Sequence, residues 1–203
     1  MARIQPLDPA GASDKVREAL EALPPLNIFR TLAHAQTAFR PFLRFGGAVL
    51  GRMELDPVVR ELAILAVAKE AEAQYEWIQH VEIGKAVGVT DEQIAALAQA
   101  GSCAPEGADE RIRAAASGEG PFGAAQQAAI ELAACVVRGP RISDELWQCV
   151  RAQFSDREVV ELLIAIGDYL MLARVMTVLE VDLDEGVGDA VLQGLRDRPA
   201  DRA

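Results

Sequence analysis

The sequence predicts an all-α fold. Three observations carry that prediction: apolar residues recur at helical spacing, helix start and stop signals punctuate the chain, and strand-like alternation is missing. Composition agrees. Half of the 203 residues (51%) are apolar but only 5% are aromatic, so aliphatic side chains and alanine must fill the core. That suits closely packed helices better than a β-sandwich.

Taken in order, Val16, Leu20 and Leu23 mark one face of a short helix that starts after Asp14 and ends at Pro24-Pro25. A second helix is expected over 28–40, with Phe29, Leu32, Ala33 and Phe39 as its stripe. Pro41 is expected to interrupt it, and helix resumes over 42–50. Asp56-Pro57 is an N-cap followed by proline at the first helical position. The helix it opens, over 58–68, is apolar on nearly every side and should lie buried in a bundle or at a subunit interface. A further helix covers 73–87, with Gly88 as a left-handed C-cap. Thr90-Asp91-Glu92-Gln93 is a capping box for a short helix closed by Gly101.

Residues 101–120 read as a connecting loop with a turn of helix around Arg111 to Ala115. Helix returns over 122–137 and stops at Gly139-Pro140. Ser143-Asp144 opens another, and Ser155-Asp156-Arg157-Glu158 is a second capping box before a long helix reaching Leu179. One domain over 1–185 and a loose C-terminal tail over 186–203 follow. A faint internal echo pairs Glu61-Leu62-Ala63 with Glu131-Leu132-Ala133.

The formal charge of −11 and a pI near 4.7 argue against nucleic acid or an anionic membrane surface as partners, since both need clustered Lys and Arg. Residues 1–6 lack an apolar core, so no secretory leader is expected. The longest apolar run is 62–68, well short of the roughly 18 residues of a membrane span. Cys103, Cys135 and Cys149 form no C-x-x-C and read as idle thiols of a reducing cytoplasm.

One constellation points to chemistry. Glu76 and His80 lie four apart on a helix and share a face. A carboxylate beside an imidazole can fix its tautomer or raise its basicity, as general acid–base work requires; an exposed polar pair would look the same. Tyr75 and Trp77 fall within the same turn, although the chain holds only two Tyr and two Trp, which hints at a pocket. Glu61 sits inside an apolar helix, where a carboxylate needs a partner such as Arg60, a proton, or a functional role. A metal site is not expected, because His34 is the only other histidine and no H-E-x-x-H is present. No phosphate loop or G-x-S-x-G occurs, and no cofactor is implied.

Asn27-Ile28-Phe29-Arg30-Thr31-Leu32-Ala33-His34, Arg60-Glu61-Leu62-Ala63-Ile64-Leu65, Tyr75-Glu76-Trp77-Ile78-Gln79-His80, and Ala86-Val87-Gly88-Val89 with Asp91-Glu92-Gln93-Ile94 together resemble the carboxymuconolactone decarboxylase family, which includes alkylhydroperoxidase D-like proteins. The resemblance is strongest over 25–100 and extends weakly to Gly167-Asp168-Tyr169 and Arg174. It implies an alkylhydroperoxidase D-like helical bundle that assembles as a homo-oligomer, a trimer or a hexamer.

In the peroxide-reducing members a C-x-x-C precedes the histidine. Here those two cysteine positions are Ala73 and Glu76, while Glu61 and His80 take the glutamate and histidine positions. The resemblance therefore implies proton transfer rather than thiol redox chemistry. The expected function is a cofactor-free, decarboxylase-like lyase acting on a small organic acid or lactone. Glu61, Glu76 and His80 are its catalytic residues, Tyr75 and Trp77 line the site, and Arg60 or Arg174 binds a substrate carboxylate. The alternative is a non-catalytic oligomeric or ligand-binding member of the fold.

Overall fold

The computed structural model describes residues 1–99, 107–139 and 141–187. Among these, ten α-helices and no strand occur. They are α1 (Asp14–Glu21), α2 (Asn27–Leu32), α3 (Gln36–Gly51), α4 (Pro57–Glu70), α5 (Gln74–Val87), α6 (Asp91–Gln99), α7 (Ala108–Ala116), α8 (Ala124–Arg138), α9 (Asp144–Gln153) and α10 (Asp156–Leu179).

Helix α4 is the centre of the bundle. Every residue from Val59 to Ala68 is buried, as its all-round apolar pattern demands. It packs most extensively against α8, then α5 and α10; α7 and α9 cover the far side of α8. The start of α4 is fixed by Asp56, whose carboxylate accepts from the N–H groups of Val58 and Val59 at 2.9 and 3.0 Å. Both capping boxes form. Thr90 Oγ1 accepts from Gln93 N while Gln93 Oε1 accepts from Thr90 N, and Ser155 and Glu158 pair likewise at the head of α10. Gly88 ends α5 at φ +112°, a conformation that disfavours any residue with a Cβ.

Three expectations are corrected, and one is qualified. Pro41 does not interrupt: α3 runs through it, and the break falls earlier, at 33–35. Pro41 lies in the second turn, where it removes only one early backbone bond of a helix otherwise anchored by buried Phe39, Leu43, Val49 and Leu50. The turn expected near Arg111 is a full helix, α7, since buried Ala108, Ile112 and Ala115 give it a packed face against α8. The expectation of no membrane span is qualified only in that α10, by length and composition alone, is long and apolar enough to cross one. Its buried face packs against α4, α5 and α8 as a core helix does.

The third correction concerns the chain after α10, which turns back over α2 and α5. Asp184 accepts from Asn27 N at 2.6 Å, Asn27 Nδ2 at 2.9 Å and Tyr75 Oη at 2.5 Å. Gln79 Nε2 donates to Glu185 O at 3.1 Å, and Val187 N donates to Gln79 Oε1 at 3.4 Å. Residues 186–187, assigned to a loose tail, are thus held on α5. Residues 188–203, Gly101 and Cys103 lie outside the described residues.

Candidate active site

Helices α4 and α5 are joined by a short turn with Glu72 at φ +54°, so they run back alongside each other and bring Glu61 across from His80. His80 Nδ1 lies 2.7 Å from Glu61 Oε2, and both side chains are buried. Arg60 Nε donates to the other carboxylate oxygen, Glu61 Oε1, at 3.0 Å. Glu61 is fully buried and bonded on both oxygens, which is how a carboxylate persists inside an apolar helix. With Glu61 ionised, Nδ1 carries the proton and donates it. That leaves Nε2, without a protein partner among the described residues, as a lone pair for chemistry. The imidazole is further fixed by an edge-to-face contact with Tyr169 of α10, centroids 4.4 Å apart at 81°.

Glu76 and His80 both line one cavity, as their shared helix face requires. They are not bonded to each other, however. The carboxylate that orients the imidazole is Glu61, because Nδ1 faces α4, and both oxygens of Glu76 are buried without a hydrogen-bond partner. Burial accordingly pushes the Glu76 carboxyl up to about 7.

The cavity has a volume of about 60 Å³. Its walls are apolar, with Phe29 and Phe42 from α2 and α3 and Leu172 from α10. Tyr75, Gln79, Tyr169 and Asp168 supply the polar tips. Asp168 is a site residue that the sequence pattern does not single out. It is 6% exposed, its Oδ1 has no partner, and burial raises its carboxyl to about 6. The signal that marked Glu61, a carboxylate inside an apolar helix, marks Asp168 equally.

The remaining expected site residues divide. Tyr75 lines the cavity, and its hydroxyl, which donates to Asp184 and accepts from Ile28 N, is pushed well above the usual phenol range, first by burial and then by Asp184. Trp77 packs against the core and borders a separate surface depression with Ala73 and Gln74. Arg60 is buried against Glu61 and does not line the cavity. Arg174 is exposed on α10 and does not line it either. Neither arginine stands where it binds a substrate carboxylate in this cavity.

The echo residue Glu131 on α8 is also fully buried, yet Arg111 from α7 and Gln127 close it off with bonds of 2.5–2.8 Å. Among the described residues no group of three or more His, Cys, Asp or Glu side chains gathers as a metal set. Ala73, at one cysteine position of the peroxide-reducing pattern, is the buried N-cap of α5. Cys135 lies buried on α8, and Cys149 half-buried on α9.

Residues 36–117, from the first residue of α3 to just past α7, match the model of the Carboxymuconolactone decarboxylase family. That segment contains Glu61, Glu76 and His80; Asn27–His34 and Asp168 fall outside it. No curated protein matches the chain. Among solved structures, the chain is similar to an alkylhydroperoxidase AhpD core protein, an uncharacterized peroxidase-related protein from Ralstonia eutropha JMP134. The identity is 17%, 96% of each chain is covered, and the TM-score is 0.68. It is also similar to an uncharacterized peroxidase-related protein from Silicibacter sp. TM1040, at 16% identity over 90% of this chain and 88% of the other, TM-score 0.65. A third, a protein of unknown function from Agrobacterium tumefaciens whose description suggests the antioxidant defence protein AhpD, is 17% identical over 75% of this chain and 94% of its own, TM-score 0.55. At such identities the likeness is one of fold.

Proposed function

We propose that this chain, whose residues 36–117 match the Carboxymuconolactone decarboxylase family and whose fold is AhpD-like, is a cofactor-free proton-transfer enzyme acting on a small substrate in the cavity beside His80. The observation that supports this best is the buried Glu61–His80 hydrogen bond, which holds the imidazole in one orientation at the edge of an apolar cavity. His80 Nε2 acts as the base that removes a proton next to a substrate carbonyl and, once protonated, returns one to the same carbon. Glu76, poised near neutral pH, supplies or accepts the second proton at the enolate oxygen.

Of the two substrate classes that the sequence suggests, the neutral lactone is favoured over a free acid, since no Lys or Arg lines the cavity. Thiol peroxidase activity, which the descriptions of two relatives bring to mind, is disfavoured by Ala73 and Glu76. A non-catalytic, ligand-binding role is the second reading, favoured by the apolar walls. The test that separates the two is solvent-deuterium exchange into a small lactone by the wild-type protein, Glu61→Gln and His80→Ala.

The homo-oligomer is part of the same proposal. Val160, Leu163, Ile164, Met171 and Val178 form an exposed apolar stripe along α10 that a second copy would cover, and light scattering checks the assembly.

A further inference from the structure

The cavity holds two acid groups with buried oxygens that lack a hydrogen-bond partner. Glu76 from α5 is 2% exposed with both carboxyl oxygens unbonded, and Asp168 from α10 is 6% exposed with Oδ1 unbonded. Both line the same cavity. Buried polar atoms normally have partners, and the exceptions call for an explanation. The groups around them do not provide one. His80 Nδ1 is engaged by Glu61, and Tyr75 Oη donates to Asp184. The cavity lining contributes no Lys or Arg.

What the two carboxyls lack is hydrogen-bond donors, and what the walls lack is a Lys or Arg to fix an anion; of the neutral donors in the lining, the Tyr75 hydroxyl and the Gln79 amide are already engaged at 184–185. We propose that the cavity is selective for a small molecule with an ammonium head and a short apolar body, the head lying between Glu76 and Asp168. The body then rests against Leu26, Phe42, Leu43 and Leu172, and the Phe29 and Tyr169 rings line the same cavity. This rests on the reading of the cavity as the substrate site and names the substrate's polar group. A lactone or other carbonyl compound carrying an amine satisfies both.

Size restricts the body further. A cavity of about 60 Å³ is well below the roughly 150 Å³ that holds a benzene ring in an engineered protein core, so the ammonium head and its nearest few carbons fit inside it, and a larger body such as a lactone ring extends through its open mouth. Desolvation raises both carboxyls, Glu76 to about 7 and Asp168 to about 6. An entering cation offsets that shift by pairing with the charged forms.

The experiment is isothermal titration of the full chain at pH 7.5 with three molecules of matched size: propylammonium, 1-propanol and propionate. The expected order is propylammonium far above 1-propanol, with no binding of propionate. Glu76→Gln and Asp168→Asn, each checked for an unchanged helical circular dichroism spectrum, should each weaken propylammonium about tenfold or more. They should leave 1-propanol within about twofold. Propionate binding as well as propylammonium, no binding of propylammonium at millimolar concentration, or unchanged propylammonium affinity in both variants overturns the proposal. Binding is read here without turnover. A failure therefore leaves the role of His80 untouched, and a failure of His80→Ala to affect exchange leaves the charge selectivity standing.

Discussion

Glu61 on α4 and His80 on α5 meet through a buried hydrogen bond of 2.7 Å, and Arg60 holds the other oxygen of the same carboxylate. The carboxylate thus serves two buried partners. Glu61→Ala leaves the Arg60 guanidinium and the imidazole unpaired in the core. It should destabilise the protein by about 3–5 kcal/mol, the usual cost of breaking a buried ion pair from one side. Urea unfolding followed by circular dichroism measures it. Glu61→Gln keeps the shape and one acceptor, so its loss should be smaller.

Glu76 behaves in the opposite sense. It has no partner to lose, and burial alone raises its carboxyl from 4.5 to about 7. The folded state therefore holds its proton more tightly than the unfolded chain does. Below about pH 4.5 the residue is neutral in both states and costs nothing; the penalty grows as pH rises to about 7 and is then complete. It amounts to roughly 3 kcal/mol. Glu76→Gln should match the wild type in stability near pH 4.5 and exceed it increasingly up to pH 7.5. Unfolding curves at pH 5, 6, 7 and 8 check this, and a constant difference would remove the desolvation account.

Asp168 adds a second contribution of the same sign over a lower window, from 3.8 to about 6. Asp168→Asn should gain on the wild type between about pH 4 and pH 6 and stay level above it. Unfolding curves at pH 4, 5, 6 and 7 separate its window from that of Glu76.

Thiol-dependent reduction of an alkyl hydroperoxide should be absent. The positions that carry the redox pair in the peroxide-reducing pattern are Ala73 and Glu76, and the Cys135 thiol is pushed up by burial, away from the reactive thiolate. Peroxide consumption with a dithiol reductant, before and after alkylation of the cysteines, is the assay. Turnover lost on alkylation would identify a different thiol site.

Most of the helical framework is legible in the sequence because its signals are local. Asp56-Pro57, Gly88 and the two capping boxes act within four residues, and they start or stop helices where their chemistry requires. The break at 33–35 carries no such signal, whereas Pro41 carries a strong one that packing of α3 overrides. At the site, the shared face of Glu76 and His80 follows from spacing alone. The choice of Glu61 as partner of the imidazole depends on how α4 lies against α5, which only the resemblance anticipates. Asp168 and the Asp184–Tyr75 bond come from 88 and 109 residues away along the chain, and no local pattern encodes contacts of that range.

Proton transfer by His80 is tested most directly by exchange in D2O. γ-Butyrolactone and its α-amino derivative are incubated with the protein, and loss of the proton next to the carbonyl is followed by NMR. The wild-type protein should accelerate exchange of at least the amino lactone. His80→Ala should lose a factor on the order of 10² to 10⁴ while keeping its helical spectrum, and Glu61→Gln should fall between the two. No acceleration of either lactone by the wild type, or equal acceleration by wild type and His80→Ala, would contradict a proton-transfer role for the Glu61–His80 pair.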